Sequence, residues 1–131
     1  MLTNLNRTVL YTGVTNDLNR RLIEHWIGHP GAFTTRYKVY YLLWASETQY
    51  VLNAIDLEKR IKRLTRHQKQ MMIAETNPEW TFLNDTLHPG WPPTPAEVDA
   101  VKAYWRDAAS VSQHDALFFL NQVQSPDDWN Q

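Results

Sequence analysis

The sequence predicts an α+β domain joined to a short helical extension. Three observations carry that reading. Two runs rich in β-branched and aromatic residues, 7–14 and 36–45, read as strands. Apolar residues at helical spacing follow each run. A proline-rich stretch, His88 to Pro95, then separates this part from two further amphipathic segments.

The first strand candidate runs from Arg7 to Val14 and ends near Gly13. A turn or cap at Thr15–Asp17 leads into a helix over about residues 16–27. Leu18, Leu22, Ile23, Trp26 and Ile27 mark its apolar positions, and Gly28 with His29-Pro30 stops it. Gly31 to Arg36 reads as a polar loop. Arg36 to Ala45 is the second strand, and its later half is apolar on both faces, the pattern of an interior strand. Leu52, Ile55, Ile61 and Leu64 mark a second helix. Thr65 with Gln68 three residues on is a capping-box pattern, which opens a third helix through Met71, Met72 and Ile73 and on to Asn77-Pro78. Trp26, Trp44, Trp80, Met71 and Met72 are assigned to the core. Beyond the prolines, Thr94-Pro95-Ala96-Glu97 opens a fourth helix with N-cap, first-position proline and third-position glutamate. Val98, Val101, Tyr104 and Trp105 form its apolar face. Ser112 and Asp115 open a fifth helix around 116–123. The chain thus divides into a domain at 1–84, a linker at 85–95 and an acidic helical extension at 96–131.

The 131 residues include no cysteine, which excludes a disulfide scaffold, a thiolate nucleophile and a cysteine-based metal site. No apolar run reaches the roughly 18 residues of a membrane span. The first residues lack a basic flank followed by an apolar stretch, so a cytoplasmic protein is expected. The net charge of −1 conceals a division. Residues 1–84 carry 11 Lys and Arg against 7 Asp and Glu, a net +4. Residues 85–131 carry 2 against 7, a net −5. Such asymmetry fits a nucleic-acid-binding part beside an acidic appendage, and it also fits plain solvation.

The chemistry-bearing residues cluster in the first part. Tyr11 stands two residues before Gly13 at a strand end, and Arg21 and His25, four apart, share one face of the first helix. A guanidinium supplies a rigid fork of donors to a phosphate, and a phenol or imidazole can take a proton. The same residues fit a surface Arg21–Glu24 pair and a histidine bonded to main chain. Lys59, Arg60, Lys62, Arg63, Arg66 and Lys69 form a basic stretch that can track phosphates or simply face water. His29, His67, His88 and His114 show no metal-ligand spacing.

The segment Leu10-Tyr11-Thr12-Gly13 through Arg20-Arg21-Leu22-Ile23-Glu24-His25 resembles the second motif and following helix of the GIY-YIG nuclease superfamily. In particular it looks like the small stand-alone single-domain bacterial branch. Phe33-Thr34-Thr35-Arg36-Tyr37, Ala54-Ile55-Asp56-Leu57-Glu58-Lys59 and Asn77-Pro78-Glu79-Trp80 match further stretches of that branch in order. The resemblance covers about residues 1–84. It implies a small three-stranded antiparallel sheet flanked by helices, and hydrolysis of DNA phosphodiesters. It assigns Tyr11, Arg21, His25, Glu58 and Asn77 to catalysis, with Arg21 on the scissile phosphate and a tyrosine, assisted by His25, taking the proton of the attacking water. Glu58 becomes the ligand of one divalent metal, Mg²⁺ or Mn²⁺. A helix salt bridge from Glu58 to Lys62 is the alternative, and the two are compatible. Arg20, Arg36, Lys59, Lys62, Arg63 and Arg66 become DNA contacts. DNA is the expected partner, with no membrane, and the chain is expected to be a monomer or weak dimer.

One departure stands out. The superfamily has two tyrosine motifs on adjacent strands, and the first should lie just before Leu2-Thr3-Asn4, where Met1 stands. Three explanations are open for the missing first strand and first tyrosine: a true start upstream of Met1, a degenerate remnant, or another segment in the strand's place; without them activity is expected to be impaired. Alternatives are a non-catalytic DNA-binding module and a protein-interaction remnant on the same fold. The extension is expected to cover apolar surface that the missing strand leaves bare, and its carboxylates to compete with DNA for the basic face.

Overall fold

A computed structural model describes residues 1–29 and 31–111, with main chain alone for 108–111. The fifth helix expected from Ser112, together with His114, Asp115, Asp127 and Asp128, lies outside the described residues. The described elements are β1 (Leu2–Thr3), α1 (Leu18–Ile27), α2 (Phe33–Arg36), β2 (Tyr41–Leu42), α3 (Val51–Arg63), α4 (Arg66–Thr76), α5 (Asn84–Leu87) and α6 (Pro95–Val111). The domain is α+β with an antiparallel sheet, as expected.

The sheet is small and its central strand is β1. Leu2 faces Leu42 and Thr3 faces Tyr41 in antiparallel register. On its other side Leu2 exchanges both main-chain hydrogen bonds with Tyr11, each at 2.8 Å. Met1 extends the ladder: Leu43 N–H donates to its carbonyl at 3.0 Å, and its amino group donates to the carbonyl of Trp44. Three passes of chain therefore lie side by side, with residues 1–3 in the middle. No tyrosine precedes Tyr11 in the chain.

Both strands come out far shorter than their β-rich runs. In the first run only Tyr11 pairs, because residues 4–9 form a closed loop. Asn4 Oδ1 accepts from the Thr8 and Val9 amides at 2.8 and 3.1 Å, and Arg7 takes a φ of 58°. The Arg7 guanidinium then donates to the carbonyl of Trp80 and lies over the Phe82 ring. In the second run Arg36 closes the α2 turn and Lys38 takes a φ of 54°, so extended pairing starts only at Tyr41. The expected polar loop at 31–36 thus contains α2. The outer edge of β2 is not left open. Leu83 N–H donates to Leu42 O, while the Asn84 carboxamide accepts from Leu42 N–H and donates to Tyr40 O, both at 2.7 Å.

Neighbouring residues on a strand face opposite sides, which splits the core in two. Met1, Leu10 and Leu43 pack with Ile61 of α3 and Ile73 of α4. Leu2, Tyr11 and Leu42 pack with Leu22 of α1 and Val39. The sheet thus sits between α1 on one face and α3–α4 on the other. Trp44, Trp80 and Met72 line the first cluster. Two core assignments need correction: Met71 is 60% exposed, since its side of α4 faces away from the sheet, and Trp26 is 37% exposed at the rim of α1.

Helix ends follow their caps. Asp17 accepts from the Arg20 amide at 3.0 Å, and Thr65 with Gln68 forms the reciprocal capping box. Gly28 ends α1 at φ 79°, the left-handed region that glycine adopts without strain. The proline-rich stretch is docked rather than loose. Trp91 packs on the α1-side core, and His88 joins Asn19 of α1 at 2.6 Å to Glu97 of α6 at 2.8 Å. Helix α6, the described part of the extension, packs on α1.

Candidate active site

Tyr11 is held at the sheet edge by its main-chain pairing with Leu2, and its side chain is 3% exposed. Gly13 permits this placement. A Cβ there would stand 3.1 Å from Tyr11 Cε1, tighter than a side chain tolerates without movement of the ring. The glycine two residues after the tyrosine is therefore a matter of space.

Arg21 and His25 project from one face of α1 toward that ring. Arg21 Nη2 donates to the Tyr11 hydroxyl at 3.3 Å. The His25 ring meets the Tyr11 ring edge-on, with centroids 5.2 Å apart and planes at 64°. His25 is 8% exposed, and its Nε2 has no hydrogen-bond partner among the described residues. Burial pushes its pKa well below the usual histidine range, with Arg21, His29 and the Met1 amino group adding to the effect. His25 is thus a neutral imidazole at pH 7.

Glu58 stands on α3. Its charge is felt at Tyr11, whose pKa is raised first by burial; Arg21 pulls it down by charge and hydrogen bond, and Glu58 pushes it up. Glu58 also pairs with Lys62 one turn on, its side chain only 13% exposed. Among the described residues no group of three His, Cys, Asp or Glu is gathered for a metal. A single carboxylate of this kind suits Mg²⁺, which keeps most of its waters. Lys62 would have to give way to it.

Asn77 caps the C-terminal end of α4. Its Nδ2 donates to Leu43 O at 3.1 Å and Thr81 O at 2.8 Å, while its Oδ1 accepts from Thr81 N–H at 3.1 Å. The whole carboxamide is used to tie the end of α4 to the exit of β2.

The basic residues divide in the same way. Lys59, Arg63 and Arg66 are exposed on α3 and the start of α4, and Arg36 is exposed at the end of α2. Arg60 pairs with Asp56, and Lys62 is engaged with Glu58. Lys69 belongs with the core: it is 8% exposed, and burial, with Arg66 and Lys62, lowers its pKa. Arg20 turns to protein partners, bonding Glu24 at 3.3 Å and Asn16 at 2.8 Å and lying over the Tyr104 ring at 4.3 Å.

A strand tyrosine and a helix arginine ten residues on thus meet beside a three-pass antiparallel sheet, with the charge of a glutamate on the next long helix felt at the tyrosine. The model of the GIY-YIG catalytic domain matches residues 1–71. The chain belongs to the GIY-YIG family. This GIY-YIG domain is 36% identical to a UPF0213 protein of Pectobacterium carotovorum over 84 residues, 60% of this chain and 79% of that one. It is 36% identical to one of Vibrio parahaemolyticus over 69 residues, 52% of this chain and 64% of the relative. A UPF0213 protein of Bacillus velezensis matches at 36% over 70 residues, 53% of this chain and 71% of its own. No solved structure matches significantly. GIY-YIG domains form a nuclease family whose members generally depend on a divalent metal.

Two residues that hold the arginines of α1 were not singled out in the sequence. Glu24 is 6% exposed and holds both arginines of α1. Its spacing from Arg20 and Arg21 offered a signal, but it read as a surface pair. Trp105 reaches Glu24 from α6, and no local pattern could reveal a contact across 81 residues.

Proposed function

We propose that this chain is a metal-dependent DNA endonuclease in which Arg21 binds the scissile phosphate, Tyr11 and His25 handle the water and its proton, and Glu58 holds the cation. The observation that supports this reading best is the Arg21–Tyr11 hydrogen bond beside Glu58. Arg21 donates to the phenol oxygen and so fixes guanidinium and phenol against one another. The guanidinium fork is fixed before substrate arrives, the condition under which charge stabilisation is most effective. A bound Mg²⁺ or Mn²⁺ would polarise a phosphoryl oxygen and ease departure of the leaving oxygen. With Glu58 neutralised in that way, Tyr11 loses one of the two influences that raise its pKa, and Arg21 continues to lower it. His25, neutral and in contact with the Tyr11 ring, is in the protonation state a proton acceptor requires. Lys59, Lys62, Arg63, Arg66 and Arg36 follow the DNA backbone; Arg20 contributes through Glu24.

The Glu58–Lys62 pair favours a second reading, DNA binding without cleavage, because it satisfies the carboxylate internally. Nicking of supercoiled plasmid in Mg²⁺ or Mn²⁺ separates the two. Under the nuclease reading the chain nicks, while Arg21→Ala and Glu58→Ala do not. Equal residual nicking by all three, with salt-sensitive DNA binding, selects the binding module.

A further inference from the structure

Helix α6 reaches the site through one side chain. Trp105 Nε1–H donates to Glu24 Oε2 at 3.0 Å. The same oxygen faces Arg21 Nη1 at 4.0 Å, and the other carboxylate oxygen accepts from Arg20 Nε at 3.3 Å. Glu24 is nearly inaccessible, so water cannot replace a lost partner readily. The Trp105 indole also packs against the His29 ring, with centroids 5.5 Å apart, and Tyr104 stacks under the Arg20 guanidinium. Glu24 is thus gripped from α6 on one side and grips Arg21 on the other.

We infer that Trp105 and Glu24 are positioning residues for Arg21, so that the C-terminal helix is a working part of the phosphate site. This rests on the nuclease reading for its catalytic consequence, though not for the relay itself. A carboxylate is free to rotate about its last bond. The indole N–H removes that freedom and leaves Oε2 facing Arg21. The Arg21 side chain, held between Glu24 and the Tyr11 hydroxyl, then presents its fork in one direction. Small misplacement of such a group is costly in rate while leaving binding nearly intact.

Trp105→Phe keeps an aromatic ring against His29 and removes only the donor. Expected are a melting temperature lowered by the loss of a partner that water cannot readily replace, unchanged KM for plasmid and a kcat lowered about 5-fold, a modest misplacement effect. The same substitution in an Arg21→Lys background should cost nothing further, because the fork it orients is gone. Glu24→Asp, which withdraws the carboxylate, should lower kcat more than Glu24→Gln lowers KM. Equal losses from Trp105→Phe in both backgrounds would overturn the inference, as would a fall in stability without a change in kcat. Relaxation of the Arg21 Nε–H resonance gives a readout that needs no activity. It should report a more mobile side chain in Trp105→Phe, and an unchanged signal counts against the relay. A wild-type chain that does not nick DNA, with Arg21 mobilised by Trp105→Phe, would refute the nuclease reading and leave the relay standing.

Discussion

The carboxamide of Asn77 spans from the end of α4 to the carbonyl of Leu43, at 3.1 Å, and so locks a helix to the strand beside the site. Asn77→Ala leaves the buried Leu43 O without this partner, whereas water can reach the main chain of exposed Thr81, so the fold should lose about 1–3 kcal/mol, the cost of one buried group left unsatisfied. Urea unfolding measures it. Nicking per folded molecule should stay near wild type; a selective loss of kcat at unchanged stability would place Asn77 in the catalytic step instead.

His25 makes stability depend on pH. Its folded pKa lies below the unfolded value near 6.5, so the unfolded chain takes up a proton that the folded chain refuses. Stability is complete above pH 6.5 and falls as pH drops below it, at most about 1.4 kcal/mol per pH unit for one group. His29, shifted the same way, adds to the slope. Chemical unfolding between pH 5 and 8 should show the decline, and His25→Gln should flatten it. A wild-type curve already flat across this range would contradict the buried neutral imidazole.

Glu58 should prove dispensable for folding. Its pair with Lys62 is a helix contact of the i, i+4 kind, worth about 0.3–0.5 kcal/mol and less once solvent screening is counted. Glu58→Gln should therefore shift the melting temperature by a degree or two and abolish divalent-dependent nicking. Isothermal titration with Mn²⁺ should lose its heat in the same variant.

The exposed arginines of the α3–α4 corner should govern salt dependence. Arg63→Gln and Arg66→Gln should each flatten the plot of log Kd against log salt by about 0.9, the release of one condensed counterion. Arg20→Gln should leave the slope unchanged, because Arg20 is engaged with Glu24 and Tyr104. Fluorescence anisotropy with a short duplex at several salt concentrations measures all three.

Much was legible in sequence because it depends on local order. The helix of residues 18–27, the Thr65 capping box and the Thr94-Pro95 start of α6 each arise within a few residues. The ten-residue spacing from Tyr11 to Arg21 likewise carried the site. Strand lengths did not follow from composition. Residues 7–9 and 37–40 have strand-like side chains, but Asn4 and the positive φ at Lys38 take their main chain out of the ladder.

The sequence alone placed Tyr11, Arg21 and His25 at spacings that a strand end and a helix face can present together, and the family resemblance added Glu58 as a candidate. It also determined the division of charge, +4 before residue 85 and −5 after it. Only the tertiary structure decided how each is held. Packing of α1 on the sheet buries His25 and makes it neutral. Closure of α4 on β2 assigns Asn77 to the main chain. Docking of α6 on α1 brings Trp105 to Glu24, and so joins the acidic extension to the basic domain at Arg21. These contacts join residues far apart in the chain, and local propensity carries no information about such distances.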